Sequence, residues 1–141
     1  MEYSAFALCE SLKKIQLPDG LEYIGNGCFI ENCFEEVKFP ISLKAVGCLA
    51  FKECEQLRHA ELNEGLEVLG TKWSDGENEF RGMVFAHSGI ESVRIPSTLK
   101  TIDAYTFFRC KQLKKVEFSE GLEEIGAGAF AESGIENAVL P

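Results

Sequence analysis

The sequence predicts an α/β-type repeat solenoid: a right-handed parallel coil, mostly strand and turn, built from about six units of 22–23 residues with a parallel β-sheet on one face. Three observations carry this. Phenylalanines at 6, 29, 51, 85, 107 and 130 are separated by 23, 22, 34, 22 and 23 residues, and a fixed period between about 20 and 50 residues is the signature of stacked units. Aliphatic columns repeat the same intervals: Ile15, Val37, Ala60, Val93, Val116 and Ala138, then, two residues on, Leu17, Phe39, Leu62, Ile95, Phe118 and Leu140. All four prolines, at 18, 40, 96 and 141, share one position of the unit.

Each element of the unit follows from its residues. In Leu12-Lys13-Lys14-Ile15-Gln16-Leu17-Pro18 the apolar Ile15 and Leu17 alternate with polar residues, the period of a half-buried strand. Proline closes the strand because it has no N–H to give a ladder. A turn follows, and Leu21-x-x-Ile24-Gly25 returns the chain along another side, a pattern repeated from Leu43, Leu66, Leu99 and Leu122. The Ala-Phe segment closes the coil. One coil cannot bury its own apolar face, so each must stack on its neighbours.

A second order lies within the first. Units beginning at Phe6, Phe51 and Phe107 read Phe-x-x-Cys-x-x-Leu, whereas those at Phe85 and Phe130 read Phe-x-x-Ser-Gly-Ile and are one residue shorter. The unit at Phe29 is similar to the short ones, with Asn32-Cys33-Phe34 at this place. The true period is a pair of units, about 45 residues. The one long interval is a normal unit with an insertion loop at 71–82, between the third and fourth units, so residues 1–141 form a single domain.

Composition narrows the function. A chain of 141 residues that is 45% hydrophobic can bury a continuous core. Its formal net charge of −9, with no basic stripe, argues against nucleic acid and against anionic lipid surfaces. No apolar run approaches the ~20 residues of a membrane span, and no basic, then apolar, leader follows Met1, which fits either an intracellular chain or a piece of a longer precursor.

The repeated residues resemble the BspA-like leucine-rich-repeat family, the leucine-rich repeat 5 type. Its unit reads roughly Ala-Phe-x-x-Cys-x-x-Leu-x-x-Ile-x-Leu-Pro-x-x-Leu-x-x-Ile-Gly, matched here from Ala5-Phe6 to Ile24-Gly25 and again along the chain outside 71–82. Family members are surface proteins of host-associated bacteria and some protists, associated with adhesion and protein binding. The resemblance therefore implies a bacterial cell-surface or secreted protein-binding/adhesion module. A cytoplasmic spacer or scaffold without a ligand of its own is the alternative. The resemblance implies a protein partner, such as a host extracellular protein.

Few residues offer catalytic chemistry. Cys28, Cys33, Cys48 and Cys54 are spaced loosely like zinc ligands. The repeat explains them better: Cys9, Cys54 and Cys110 share a column with Asn32, Ser88 and Ser133, and Cys28 shares one with Ala5, Ala50 and Ala129. Small, weakly polar side chains suit buried positions, so free buried thiols are expected over a metal site. A Cys33–Cys54 disulfide stays open, since adjacent coils ~4.8 Å apart are within its reach. Neither His59, on an outward strand position, nor His87, in a turn, belongs to a nucleophile–base pair. No enzyme, cofactor or metal is expected.

The outward charges alternate in sign. One column reads Gln16, Lys38, Glu61, Arg94, Glu117, and one on the return side reads Glu22, Lys44, Glu67, Lys100, Glu123. Stacked coils would turn both into ion ladders that fix register rather than bind ligand. Recognition then falls to the less regular column Lys14, Glu36, His59, Ser92 and Lys115, on a face of six strands spanning roughly 24 Å. It falls also to Trp73, Asp75 and Phe80 of the insertion, since loops often carry function. A tolerated insertion whose aromatics cover the coil is the blander reading, and a cation loop through Asp75, Glu77 and Glu79 is weaker, lacking EF-hand spacing. The final coil leaves Ile135, Ala138 and Leu140 uncovered, which predicts end-to-end self-association or a fragment.

Overall fold

A computed structural model describes residues 2–140, for Val139 the backbone only. Pro141, the last of the proline column, lies outside the described residues. The chain winds as a three-sided parallel solenoid whose coils are named here, first to sixth, by the phenylalanines of the repeat.

The strand side carries β2 (Glu36–Lys38), β4 (His59–Glu61), β8 (Ser92–Ile95), β10 (Lys115–Phe118) and β12 (Asn137–Val139), a parallel sheet in the order β12-β10-β8-β4-β2. Burial alternates along it: Val37, Ala60, Val93 and Val116 point inward while Glu36, His59, Ser92 and Lys115 point out. Five strands form rather than six. The stretch from Ile15 to Leu17 packs against the core but joins no ladder.

The return side is made of two-residue strands. β1 (Tyr23–Ile24), β3 (Ala45–Val46) and β5 (Val68–Leu69) form one sheet, and β9 (Thr101–Ile102) with β11 (Glu124–Ile125) another. No helix forms among the described residues. A return of five residues ending in glycine is too short to nucleate one.

The third side was not legible in the repeat. Residues two before and two after each phenylalanine take a left-handed backbone: Leu49 and Glu53 around Phe51 (φ 60° each), Met83 and His87 around Phe85 (51° and 60°), Tyr105 and Arg109 around Phe107 (56° and 55°). This alternation turns every second N–H toward the next coil. Leu49, Phe51 and Glu53 donate to the carbonyls of Gly82, Val84 and Ala86 at 3.1, 2.8 and 2.8 Å. Non-glycine residues in this region cost about 1–2 kcal/mol each, which the ladder offsets. It also locks the aromatic spine: rings from Phe6 to Phe130 stack with centroids 5.6, 5.3, 5.3, 5.5 and 5.2 Å apart.

The insertion is a hairpin, β6 (Trp73–Ser74) antiparallel to β7 (Glu79–Phe80). Its neck closes where Gly70 and Gly82 meet: a Cβ on Gly70 would lie 2.7 Å from the Gly82 Cα. On the phenylalanine side the coil therefore continues as if nothing had been inserted. The hairpin folds back toward the first coils, with Trp73 stacked between Tyr3 and Phe80 at 5.1 and 5.2 Å and Thr71 Oγ1 donating to Asn26 Oδ1 at 2.8 Å.

The junction between third and fourth coils is closed on the phenylalanine side and loosened on the other two. β4 and β8 stay in register only at His59 and Ser92, whereas β2 with β4 and β8 with β10 hold three and four pairs. On the return side β5 and β9 belong to separate sheets. The predicted ion ladders break at the same place. Lys38 meets Glu61 at 3.0 Å, Lys44 meets Glu67 at 3.6 Å and Lys100 meets Glu123 at 3.8 Å. Arg94 turns instead to Glu64 at 3.6 Å, and Glu117 pairs with Lys115 of its own strand. Across the third junction the ladders break with the backbone register, whereas Arg94 and Glu117 stand in register and are each drawn to another partner.

Candidate binding surface

The outward column of the strand face is assembled as its spacing predicts. Glu36, His59, Ser92 and Lys115 lie in successive register, and the structure adds Asn137 at the end of the row. Lys14 belongs to the unpaired first stretch and extends no strand. Lys115 is engaged by Glu117, whose carboxyl that hydrogen bond holds below its ordinary range.

Where β4 and β8 part, the face opens into a groove of about 550 Å³. His59 and Ser92 stand at its closed end, Leu62 and Pro96 line it, and Lys38 and Arg94 stand at its rim. Ile41, 75% exposed, projects beside it. Asn63 takes the place of proline in its column and shapes the groove wall. Its Nδ2 donates to the carbonyls of Ile41 and Leu43 at 3.2 and 3.0 Å, while its buried Oδ1 has no partner. Glu64 bridges the far end, accepting from the Ser97 N–H at 3.1 Å and from its hydroxyl at 2.9 Å. The groove escaped the sequence reading, although Ile41 is the one apolar residue in the column Asp19, Ile41, Glu64, Ser97, Glu120.

The hairpin candidates are not brought to this face. Neither β6 nor β7 contacts a strand of the five-stranded sheet. Trp73 and Phe80 are half-buried against each other. Asp75 is occupied by its own turn, its carboxylate accepting from the Glu77 and Asn78 N–H groups at 2.9 and 2.7 Å, bonds that depress its pKa. Glu79 pairs with Lys72. The carboxylates that suggested a cation loop are thus engaged separately, and no group of three or more metal-ligating side chains exists among the described residues.

All six cysteines are free, and Cys28, Cys48, Cys54 and Cys110 are buried. Cys54 and Cys110 donate to the carbonyls of Phe29 and Phe85 in the preceding coils at 3.1 and 3.0 Å, which makes this column a structural one. Burial pushes the thiols of Cys48 and Cys110 up to about 11 and that of Cys54 to about 12. The folded chain therefore keeps protons that the unfolded chain releases from about pH 9. Stability contributed by these thiols is complete below that value and falls as the pH rises through the folded values. Urea midpoints measured from pH 8 to 11 should fall more steeply for the wild type than for Cys54→Ala with Cys110→Ala, after correction to a common reference. Parallel slopes would show the thiols to be ordinary.

The three-sided parallel coil and its strand face define a leucine-rich-repeat solenoid. The family model for the BspA type leucine rich repeat region matches in six copies over residues 1–75 and 78–141. The chain belongs to the BspA-type leucine-rich-repeat family. A leucine-rich repeat protein of Bacteroides ovatus is similar in structure, with a TM-score of 0.86, 30% identity, and coverage of 99% of this chain but 34% of its own. A leucine-rich repeat protein of Eubacterium ventriosum matches at 24% identity and TM-score 0.48, over 83% of this chain and 32% of its own. A leucine rich cell surface protein of Faecalibacterium prausnitzii matches at 17% identity and TM-score 0.49, over 99% of this chain and 44% of its own. The chain thus spans about a third of the Bacteroides protein. No curated protein matched the sequence. Among the described residues no helix is long and apolar enough to cross a membrane.

Proposed function

We propose that this chain is a non-enzymatic protein-binding and adhesion module of a bacterial cell-surface protein, and that it engages a host extracellular protein through the strand face. The observation that carries this is the groove between β4 and β8. It combines apolar walls, backbone freed from the ladder and the outward His59 and Ser92 at the centre of the face. An interface needs a desolvated apolar centre with a polar rim, and Leu62, Pro96 and Ile41 within a ring of Lys38, Glu61 and Arg94 supply both. The hairpin, turned to another side, serves as a cover for the first coils.

Purified extracellular matrix and plasma proteins, flowed over the immobilised chain, test this. His59→Ala with Arg94→Ala should weaken a bound partner at least about tenfold, the loss of ~1.4 kcal/mol, with an unchanged melting curve. Replacing residues 72–81 by a short Gly-Ser link should preserve both fold and binding, because the neck is already closed at Gly70 and Gly82. Binding lost with the hairpin but kept in the groove variant would move the site to Trp73 and Phe80. A chain that binds nothing in the panel would favour the spacer reading.

A further inference from the structure

The alternation of long and short units has a geometric consequence. The fourth coil, with Ser88-Gly89-Ile90, is one residue shorter at its bend than the third and fifth, with Cys54-Glu55-Gln56-Leu57 and Cys110-Lys111-Gln112-Leu113. Its bend is drawn in between theirs. Gly89 makes the retreat possible: a Cβ there would lie 2.2 Å from the Glu55 carbonyl oxygen and 2.7 Å from Arg58 Nη1. What remains is a notch of about 340 Å³ whose facing rims present Gln56 and Arg58 on one side and Lys111 and Gln112 on the other.

The notch is basic in an otherwise acidic chain. Arg58, His87, Arg109 and Lys111 all line it, although the whole carries a formal charge of −9. The second coil is also short, yet there Glu31, Glu53 and Glu55 stand where His87, Arg109 and Lys111 stand here, and only Lys13 matches Arg58 in charge. The charge is therefore a property of this position and not of the repeat. Arg109 is held by Glu132 through two hydrogen bonds of 2.7 and 3.2 Å and lies over the Phe108 ring at 4.9 Å. Arg58 donates to the Gly89 carbonyl at 3.3 Å and reaches Glu91 at 3.9 Å. Among the described residues Lys111 forms no ion pair.

We propose that the notch over the fourth coil binds the carboxylate of an acidic sugar, of the uronic or sialic acid class. Lys111, seconded by Arg58 and His87, takes the carboxylate. Gln56 and Gln112 offer each rim an amide that both donates and accepts, as vicinal hydroxyls require. Glu55, which also lines the notch, accepts from hydroxyls and repels a doubly charged phosphate. This site is on a different side from the strand-face groove and does not depend on the protein-binding reading.

Titration of the labelled full chain with N-acetylneuraminic acid and with glucuronic acid, followed by NMR, tests it; glucose, inorganic sulfate and inorganic phosphate form separate arms. The acidic sugars should saturate with a millimolar dissociation constant, as one charged contact and a few hydrogen bonds give. Shifts should centre on His87, Gly89 and Gln112 and spare the bend at Glu31. Lys111→Glu should weaken binding by about tenfold or more, and Gln56→Ala with Gln112→Ala by about fivefold, both with unchanged melting. Absence of saturation, or glucose binding as well as the acids, would overturn the site. Sulfate or phosphate binding more tightly than the sugars, undiminished in the double glutamine variant, would overturn the sugar assignment.

Discussion

Phe51→Ala should lower the stability of the chain by about 3–5 kcal/mol, the cost of truncating a fully buried aromatic. Phe51 is the centre of the spine. Its ring stacks on Phe29 and Phe85, both at 5.3 Å, is met edge-on by Phe34 at 6.2 Å, and lies against Phe39 at 5.8 Å. Neighbouring rings cannot close the hole, since each is fixed by backbone ladders on both sides. The loosened third junction makes the site more sensitive, because there the phenylalanine side carries most of the contact between coils. Urea unfolding of the variant should show the lower midpoint with a reduced or biphasic slope as the two halves uncouple. Phe6→Ala is the comparison. That ring is 41% exposed and stacked on one side only, so its loss should cost well under half as much. Equal effects at the two positions would mean that the spine is not what couples the coils.

The parts of this fold that were legible in the sequence are those fixed by burial period. Val37, Ala60, Val93 and Val116 repeat because each fills the same place behind one sheet, and register pairing places them side by side. The left-handed positions were hidden for the opposite reason. Glycine holds only two of them, Gly27 and Gly128, and serine, leucine, glutamate, methionine, histidine, tyrosine and arginine hold the rest, so no full glycine column announces the conformation. It is imposed by hydrogen bonds to the next coil and not by local preference.

The candidate site divides in the same way. The row Glu36, His59, Ser92 and Lys115 followed from spacing, because an outward column in a parallel stack stays a column. The groove beside it did not, since it arises from a lost ladder between β4 and β8, a difference between coils that averaging over repeats conceals. Ile41 and Asn63 were its traces in the sequence, each departing from its own column. Trp73 stands out as the only tryptophan, yet its ring is consumed by Tyr3 and Phe80. The charge ladders failed at the parted junction and again between Arg94 and Glu117, which are in register. Alternating sign is present along the chain, but Arg94 found Glu64 in the adjoining turn once its own strand had parted from Glu61.

Gly82→Ala should be the most damaging change in the insertion, at about 2–4 kcal/mol, and the cause is the neck rather than the loop. Gly82 has φ +58°, and a Cβ there would stand 2.0 Å from the Ala104 carbonyl oxygen and 3.0 Å from its carbonyl carbon. That oxygen accepts from the Met83 N–H at 3.1 Å, so it cannot withdraw without breaking the rung that joins fourth and fifth coils. The Gly82 carbonyl in turn accepts from Leu49 at 3.1 Å, which ties the same residue to the third coil. A methyl group would wedge the phenylalanine side at the junction already loosened on its other two. Gly76→Ala separates this steric effect from backbone strain. It has φ +99° but nothing within 4 Å of an added Cβ, so only the torsional cost of about 1–2 kcal/mol remains. That cost should fall on the hairpin tip and leave the global unfolding midpoint nearly unmoved. Hydrogen exchange offers the decisive measurement. In Gly82→Ala the amides of Leu49, Phe51 and Met83 should lose protection together, whereas in Gly76→Ala they should match the wild type. If Gly82→Ala melts with the wild type, the neck is more pliable than its contacts imply, and the insertion is no wedge in the stack.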